Sequence, residues 1–180
     1  MGEKALMWLY SLATFLAVLG HSVAASAQQQ WQLVRPVDAG YRIEFPAAPK
    51  TEWKDLPSEA GPVPVLVSLL SRDDGVDFMA MYSKFPAGSF PNSAQIELDT
   101  LRNSSVLAVR GELRSQATLT VSGAPARRIV VAFRGGETIA TVLFVLDGIR
   151  LYQAMCIVPQ DKENDPDVLR FIDSFALMPH

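Results

Sequence analysis

Histidine is nearly missing from this sequence. The two that occur are His21, just beyond an apolar N-terminal run, and His180, the last residue. The interior therefore has no imidazole to activate a serine or cysteine nucleophile, which argues against triad hydrolases. The same shortage removes histidine-bearing zinc, copper and non-haem iron sites. Cysteine is scarcer still, and the lone Cys156 excludes an intrachain disulfide and any cysteine-clustered metal site. Gly-x-Ser-x-Gly and P-loop patterns are absent, and Gly135-Gly136 reads as a hairpin turn with no helix after it. An excess of charge is missing too: the net charge is -3, with 19% charged and 49% hydrophobic residues, so neither disorder nor a nucleic-acid surface is expected. Stability has to come from packing, and 180 residues suit one domain with its own core.

The N-terminus reads as a targeting segment. Leu6 to Leu19 is almost unbroken apolar sequence, and Ala25-Ser26-Ala27 supplies the small residues of a signal-peptidase site. We expect a secretory leader over residues 1–27 and a single domain over 28–180. The competing transmembrane anchor needs about 20 apolar residues, and Gly20-His21-Ser22 ends the run too early. In an oxidising compartment a single thiol is expected to be buried, as the apolar surroundings of Cys156 suggest.

Thr118 to Val158 is the most regular part of the chain. Four apolar runs are broken by Ser-Gly, Gly-Gly and Asp-Gly, which predicts an antiparallel meander. Within it, Thr138 to Leu146 is apolar on both alternating faces, so something must cover both sides. Earlier, Trp31 to Val34 suggests a short edge strand or a flap, and Tyr41 to Phe45 a half-buried strand stopped by Pro46. Val65 to Leu70 and Val76 to Phe85 form a second hairpin. Between Phe45 and that hairpin, Ala47 to Pro64 carries Pro49, Pro57, Pro62 and Pro64 and reads as a surface loop or an irregular extended segment containing Trp53. Ala94 to Ala108 has helical spacing, with Asn92 or Ser93 as cap and Gly111 as terminator. A second helix follows Asp165 and Pro166 and carries Phe171 and Phe175 one turn apart, leaving Met178-Pro179-His180 as a frayed end.

Tyr41 to Pro46 (Tyr-x-Ile-x-Phe-Pro), Ser122 to Arg128, Gly148 to Tyr152 and Phe171 to Phe175 together resemble the PsbP-like superfamily. That superfamily includes the extrinsic lumenal subunit of photosystem II, a Ran-binding nuclear import factor and many small bacterial envelope proteins. The resemblance implies an α+β fold, an antiparallel β-sheet covered by helices on both faces in an α/β/α sandwich, acting in binding or assembly. The docking residues of the photosystem subunit have no counterpart here, and a leader-bearing chain departs from the nuclear role.

Chemistry is sparse. Asp73, Asp74 and Asp77 surround Gly75 and would serve a carboxylate-dependent hydrolase if they converged, but hairpin tips select these residues for backbone reasons. Asp161, Glu163, Asp165 and Asp167 resemble half a calcium loop; Pro166 occupies the place of its glycine, and helix capping explains the acids without an ion. Arg127, Arg128, Arg134 and Arg150 read as strand-end solubility residues, with Arg127 and Arg128 on opposite faces. Met79 and Met81 share one face and Phe78, Ala80 and Tyr82 the other, all as core. Asn103-Ser-Ser matches a glycosylation pattern on a predicted helix, where chance explains it. Trp31, Trp53 and Phe90 stand in less regular sequence, either tucked under a flap or offered to a partner.

The residues thus point to a non-catalytic secreted or periplasmic domain without metal or cofactor, binding a protein partner of the cell envelope. Membrane contact is expected only through an uncleaved leader. The alternative is a small-molecule or lipid-binding module with a closed apolar cavity near Trp53.

Overall fold

The computed structural model describes residues 31–56 and 61–179. The expected leader, the polar stub at residues 28–30 and His180 lie outside the described residues. In chain order the elements are β1 Gln32–Val34, β2 Tyr41–Phe45, β3 Lys50–Leu56, β4 Val63–Ser71, β5 Asp77–Lys84, α1 Ala94–Ala108, β6 Glu112–Val121, β7 Ala124–Phe133, β8 Thr138–Asp147, β9 Arg150–Pro159, α2 Pro166–Asp173 and β10 Ala176–Leu177. Seven strands form one sheet in the order β3-β4-β5-β9-β8-β7-β6, and β1-β2-β10 form a small second sheet. Every pairing is antiparallel. The fold is mostly antiparallel sheet with two helices.

The predicted meander is present as β6 to β9. Ser122 and Gly123 both adopt positive φ (50° and 88°), and Val121 pairs with Ala124, the backbone of a two-residue turn whose twist matches its strands. Strand β8 is buried at every position from Ile139 to Leu146. Its alternation sorts these residues between two clusters: Ile139, Leu143 and Val145 in one, Ala140, Val142, Phe144 and Leu146 in the other. Phe171 and Ile172 of α2 belong to the first, with Tyr41, Ile43 and Phe45 of β2. Leu98 of α1 belongs to the second, with Met79 and Met81. Phe78, Ala80 and Tyr82 lie in the first, as their alternation requires.

Several local expectations are corrected. Ala47 to Pro64 is not a loop throughout, because Lys50–Leu56 pairs along its whole length with β4. Charges on both faces and neighbouring prolines suit an edge strand, whose outer side needs no donor, and Pro64 sits within β4 opposite Asp55. Neither Asn92 nor Ser93 caps α1 through its side chain. Instead Glu97 Oε1 reaches back to accept from the Asn92 backbone N–H (3.0 Å) and amide Nδ2 (2.8 Å). Helix α2 ends at Asp173, so Phe175 lies just past it, although both Phe171 and Phe175 are buried. The end of the chain is not frayed through Met178: Ala176 and Leu177 pair with β2, and the Met178 N–H donates to Gly40 O at 2.9 Å.

Arg127 is the largest departure among the polar residues. It is buried, not at a rim: its guanidinium donates to Asp99 of α1 at 2.7 Å and to Gln95 and Gln116 at 3.0 Å each. A charged group out of water must be paired, and α1 supplies the carboxylate. Arg128, on the opposite face, reaches Asp173 at 3.3 Å.

Gly111 does follow α1, but the left-handed residue there is Arg110 (φ 49°). Gly111 donates to Val106 O at 2.9 Å, and a Cβ added to it would lie 2.6 Å from Val131 Cγ1 and 2.8 Å from Ala132 O. Close approach to β7, not backbone freedom, demands glycine here. Gly111→Ala is therefore expected to lower unfolding free energy by about 1–3 kcal/mol. Urea denaturation measures this, and a loss below about 0.5 kcal/mol would show that α1 and β7 can separate freely.

Candidate functional site

The structure separates the three aromatic residues singled out above. Trp31, just before β1, is half-buried, with the Arg170 guanidinium 4.0 Å over its ring. Arg170 in turn donates twice to Glu44 Oε2, at 2.9 and 3.0 Å, so Trp31 is held between α2 and β2. Phe90 precedes α1, packs 4.8 Å from Phe85, and lines an open cleft of about 800 Å³. The Ser122-Gly123 and Asp147-Gly148 turns and the Leu177–Pro179 end complete that cleft. Trp53 alone is mostly exposed, at 56%, on edge strand β3, touching only the Tyr82 ring edge-on at 6.4 Å among described aromatic contacts.

A second cleft, of about 300 Å³, runs beside α2 between Leu119, Leu143, Ile172 and Phe175, with Arg128 and Asp173 at its side. Neither cleft is lined by Trp53. The ligand-binding alternative, which needs a closed apolar cavity at Trp53, finds no support in these two spaces.

Asp74, Asp165 and Asp167 are held in ion pairs. Arg72 is hydrogen-bonded to Asp74, donates to Asp167 at 2.8 Å and lies 3.4 Å from Asp165. Lys162 adds an ion pair to Asp74 at 2.6 Å. This joins the β4–β5 hairpin tip to the N-terminus of α2, where Asp165 Oδ1 caps the Asp167 N–H at 2.9 Å. Partial burial opposes ionisation of Asp74, but hydrogen bonds and charge from Arg72 and Lys162 outweigh it and hold its pKa at about 2. Half-buried Asp77 moves upward because it loses solvent, against a hydrogen bond from Ser71. Asp73 is exposed. The three carboxylates thus have separate environments, with Asp74 turned to two cations. Among the described residues no three His, Cys, Asp or Glu side chains are grouped to hold a metal. Cys156 is fully buried, and burial, aided by Asp165 and Asp167, pushes its thiol well above the usual range.

This geometry has a counterpart among solved structures. The solution structure of cyanobacterial PsbP (CyanoP) from Synechocystis sp. PCC 6803 superposes with a TM-score of 0.55, covering 87% of this chain and 98% of that one at 12% identity. The fold is PsbP-like. A Pseudomonas aeruginosa protein of unknown function, PA94, aligns over 83% of this chain and 97% of its own at 12% identity and a TM-score of 0.46. No family model and no curated protein sequence matches. Among the described residues no helix is long and apolar enough to cross a membrane.

The PsbP-like motif residues meet in space. Tyr41 lies 5.4 Å from Phe175 and 5.9 Å from Tyr152, and Phe45 lies 4.9 Å from Phe171. Tyr41, Ile43, Phe45, Tyr152, Phe171, Ile172 and Phe175 all belong to the first core cluster, so these apolar residues of the resemblance are scaffold. Sequence reasoning missed the pairing of Arg127 with Asp99, whose only signal was an arginine inside an apolar strand.

Two outcomes follow from the electrostatics. The folded pKa of Asp74 is depressed from an unfolded value near 3.9, so its contribution is complete above that value and is lost as pH falls toward 2. Urea midpoints measured from pH 5 to 2 should fall, and Asp74→Asn should flatten part of that fall; an unchanged slope would show the ion pair to be inert. Cys156 is expected to resist thiol reagents in the native protein and to react on unfolding. Rapid native labelling would contradict its burial.

Proposed function

We propose that this chain is a non-catalytic binding or assembly domain of the cell envelope. In this reading the leader over residues 1–27 is removed after export, and residues 28–180 form a single helix–sheet–helix sandwich. Its layers are supported by Leu98 packing in one cluster and Phe171 in the other. The PsbP-like fold supports a scaffold role, since that fold positions surfaces without demanding chemistry. The carboxylates support it as well, because Asp74, Asp165 and Asp167 are engaged with Arg72, and Asp74 also with Lys162.

The observation that carries the reading is Trp53. Burying a large aromatic stabilises a fold by about 1.5–3 kcal/mol, yet this one stays 56% exposed on a strand while Trp31 and Phe90 are packed. Exposed tryptophan is enriched where partners dock. Lys50, Glu52 and Lys54 form an ion-paired row on the opposite face of β3, and Thr51 and Asp55 are the exposed polar neighbours of Trp53 on its own face.

Affinity capture from an envelope extract, with the wild-type chain and Trp53→Ala as baits, tests this. The variant should keep its unfolding midpoint and lose at least one captured protein. Recovery of every captured protein by Trp53→Ala would remove Trp53 from the docking surface. Cell fractionation with N-terminal sequencing of the product tests export: a chain beginning at Gln28 in the envelope is expected, and a cytoplasmic chain beginning at Met1 would refute it.

A further inference from the structure

The two edges of the seven-stranded sheet are guarded differently. Edge β3 carries four charges in seven residues, Lys50, Glu52, Lys54 and Asp55, and charged side chains on an edge discourage strand addition. The opposite edge, β6, is ten residues long, and its stretch from Ser115 to Val121 (SQATLTV) has no charge, no proline and no glycine. A register shift between Leu113 and Ser115 lies before this stretch, so the remaining pairing to β7 is regular. Among the described residues, no strand pairs with the outer side of β6. Its side chains at Ser115, Gln116, Thr118 and Thr120 are exposed.

We infer that the outer edge of β6 pairs with the same edge of a second copy of this chain, two-fold and antiparallel. An unpaired run of backbone N–H and C=O groups is completed by an extended strand, and by a helix or a small molecule only poorly. The charge pattern selects which strand. With the axis at Thr118, Ser115 to Val121 pair with Val121 to Ser115 of the second copy, and Glu112 and Arg114 fall beyond that ladder, so no like charges meet. Centred on Thr118, Thr118 meets its own mate and Gln116 meets Thr120, while Leu119 meets Ala117 on the other face. Polar pairs with polar and apolar with apolar, the matching that favours cross-strand pairs. Pairing β6 of one copy with β3 of another would be heterologous and open-ended, and the charges on β3 oppose it. The self-pairing closes after two chains.

Sedimentation of the full chain over a wide concentration range tests this, with Thr118→Lys on β6 and Thr51→Lys on β3 compared. Thr118 is exposed, so Thr118→Lys should keep the wild-type unfolding midpoint, whereas Thr51→Lys gives up the 2.8 Å hydrogen bond between Thr51 Oγ1 and buried Ser68 and should lower its midpoint without reaching β6. A reversible dimer is expected, with Thr118→Lys raising its Kd at least tenfold by placing two lysines near the axis, and Thr51→Lys leaving it unchanged. A second measurement uses Thr118→Cys, which should oxidise to a covalent dimer faster than Thr51→Cys. A wild-type chain that stays monomeric overturns the inference, as does a dimer indifferent to Thr118→Lys. A monomer that instead captures unrelated strand peptides on β6 also overturns self-pairing.

Discussion

Stacked aromatic rings tie the two ends of the described chain to the middle of the sheet, and the rest of the fold depends on them. Tyr41 from the first third of the sequence, Tyr152 from the fourth strand of the sheet order and Phe175 from beyond α2 lie within 6 Å of one another by ring centre. Phe171 bridges Phe45 and Phe78 beside them. Each buried ring contributes about 1.5–3 kcal/mol, and each well-oriented pair about 0.5–1.5 more. Against this, the Tyr41 and Tyr152 hydroxyls are buried with no hydrogen-bond partner among the described residues, at a cost of about 1–3 kcal/mol each. Ring burial exceeds that cost, and loss of solvent pushes both phenols up to about 12. Around this cluster, Ser174 Oγ accepts the Glu44 N–H at 2.9 Å and donates to Phe171 O at 2.7 Å, fixing α2 against β2.

Elements whose signal is local were legible in the sequence. The Ser-Gly and Asp-Gly turns, the two-faced apolar run of β8 and the Asp165-Pro166 helix start each follow from a few adjacent residues. Elements defined by a distant neighbour were not. Strand β3 has an alternation masked by charges on both faces, and it exists because β4 offers a ladder to pair with. The C-terminal pair β10 is likewise made by β2. Gly111 looked like a helix terminator, whereas its decisive contact is with Val131, twenty positions away. Irregular surroundings set the candidate aromatics apart in the sequence, yet Trp53 lies in a fully paired strand, and only burial separates a residue held in the fold such as Trp31 from an exposed one such as Trp53.

Charge placement also ties the hairpin tip to α2. Arg72 and Lys162 face Asp74, Asp165 and Asp167, so the hairpin tip and the helix start neutralise each other. Arg127 does the same beneath α1, where Arg102 also reaches Asp99 at 2.8 Å and Gln116 at 2.6 Å. Two arginines share one carboxylate there, and the Arg127 Nε has no partner among the described residues. Arrangements of this kind fix the position of a helix more than they stabilise it, because desolvation offsets most of the Coulomb attraction.

The consequence is a molecule whose interior is fully committed. Both faces of β8 are given to packing, Tyr41, Phe45, Tyr152, Phe171 and Phe175 to the aromatic cluster, and Asp165 and Asp167 to their ion pairs with Arg72. What remains unspent lies at the sheet's two margins: an exposed tryptophan set among charges on β3, and a bare, uncharged backbone on β6. These margins differ in kind. A charged edge with one aromatic favours a partner held by side chains, while a neutral edge favours one held by main-chain hydrogen bonds. The seven-stranded sheet keeps these two margins apart by its own width, β3 at one edge and β6 at the other.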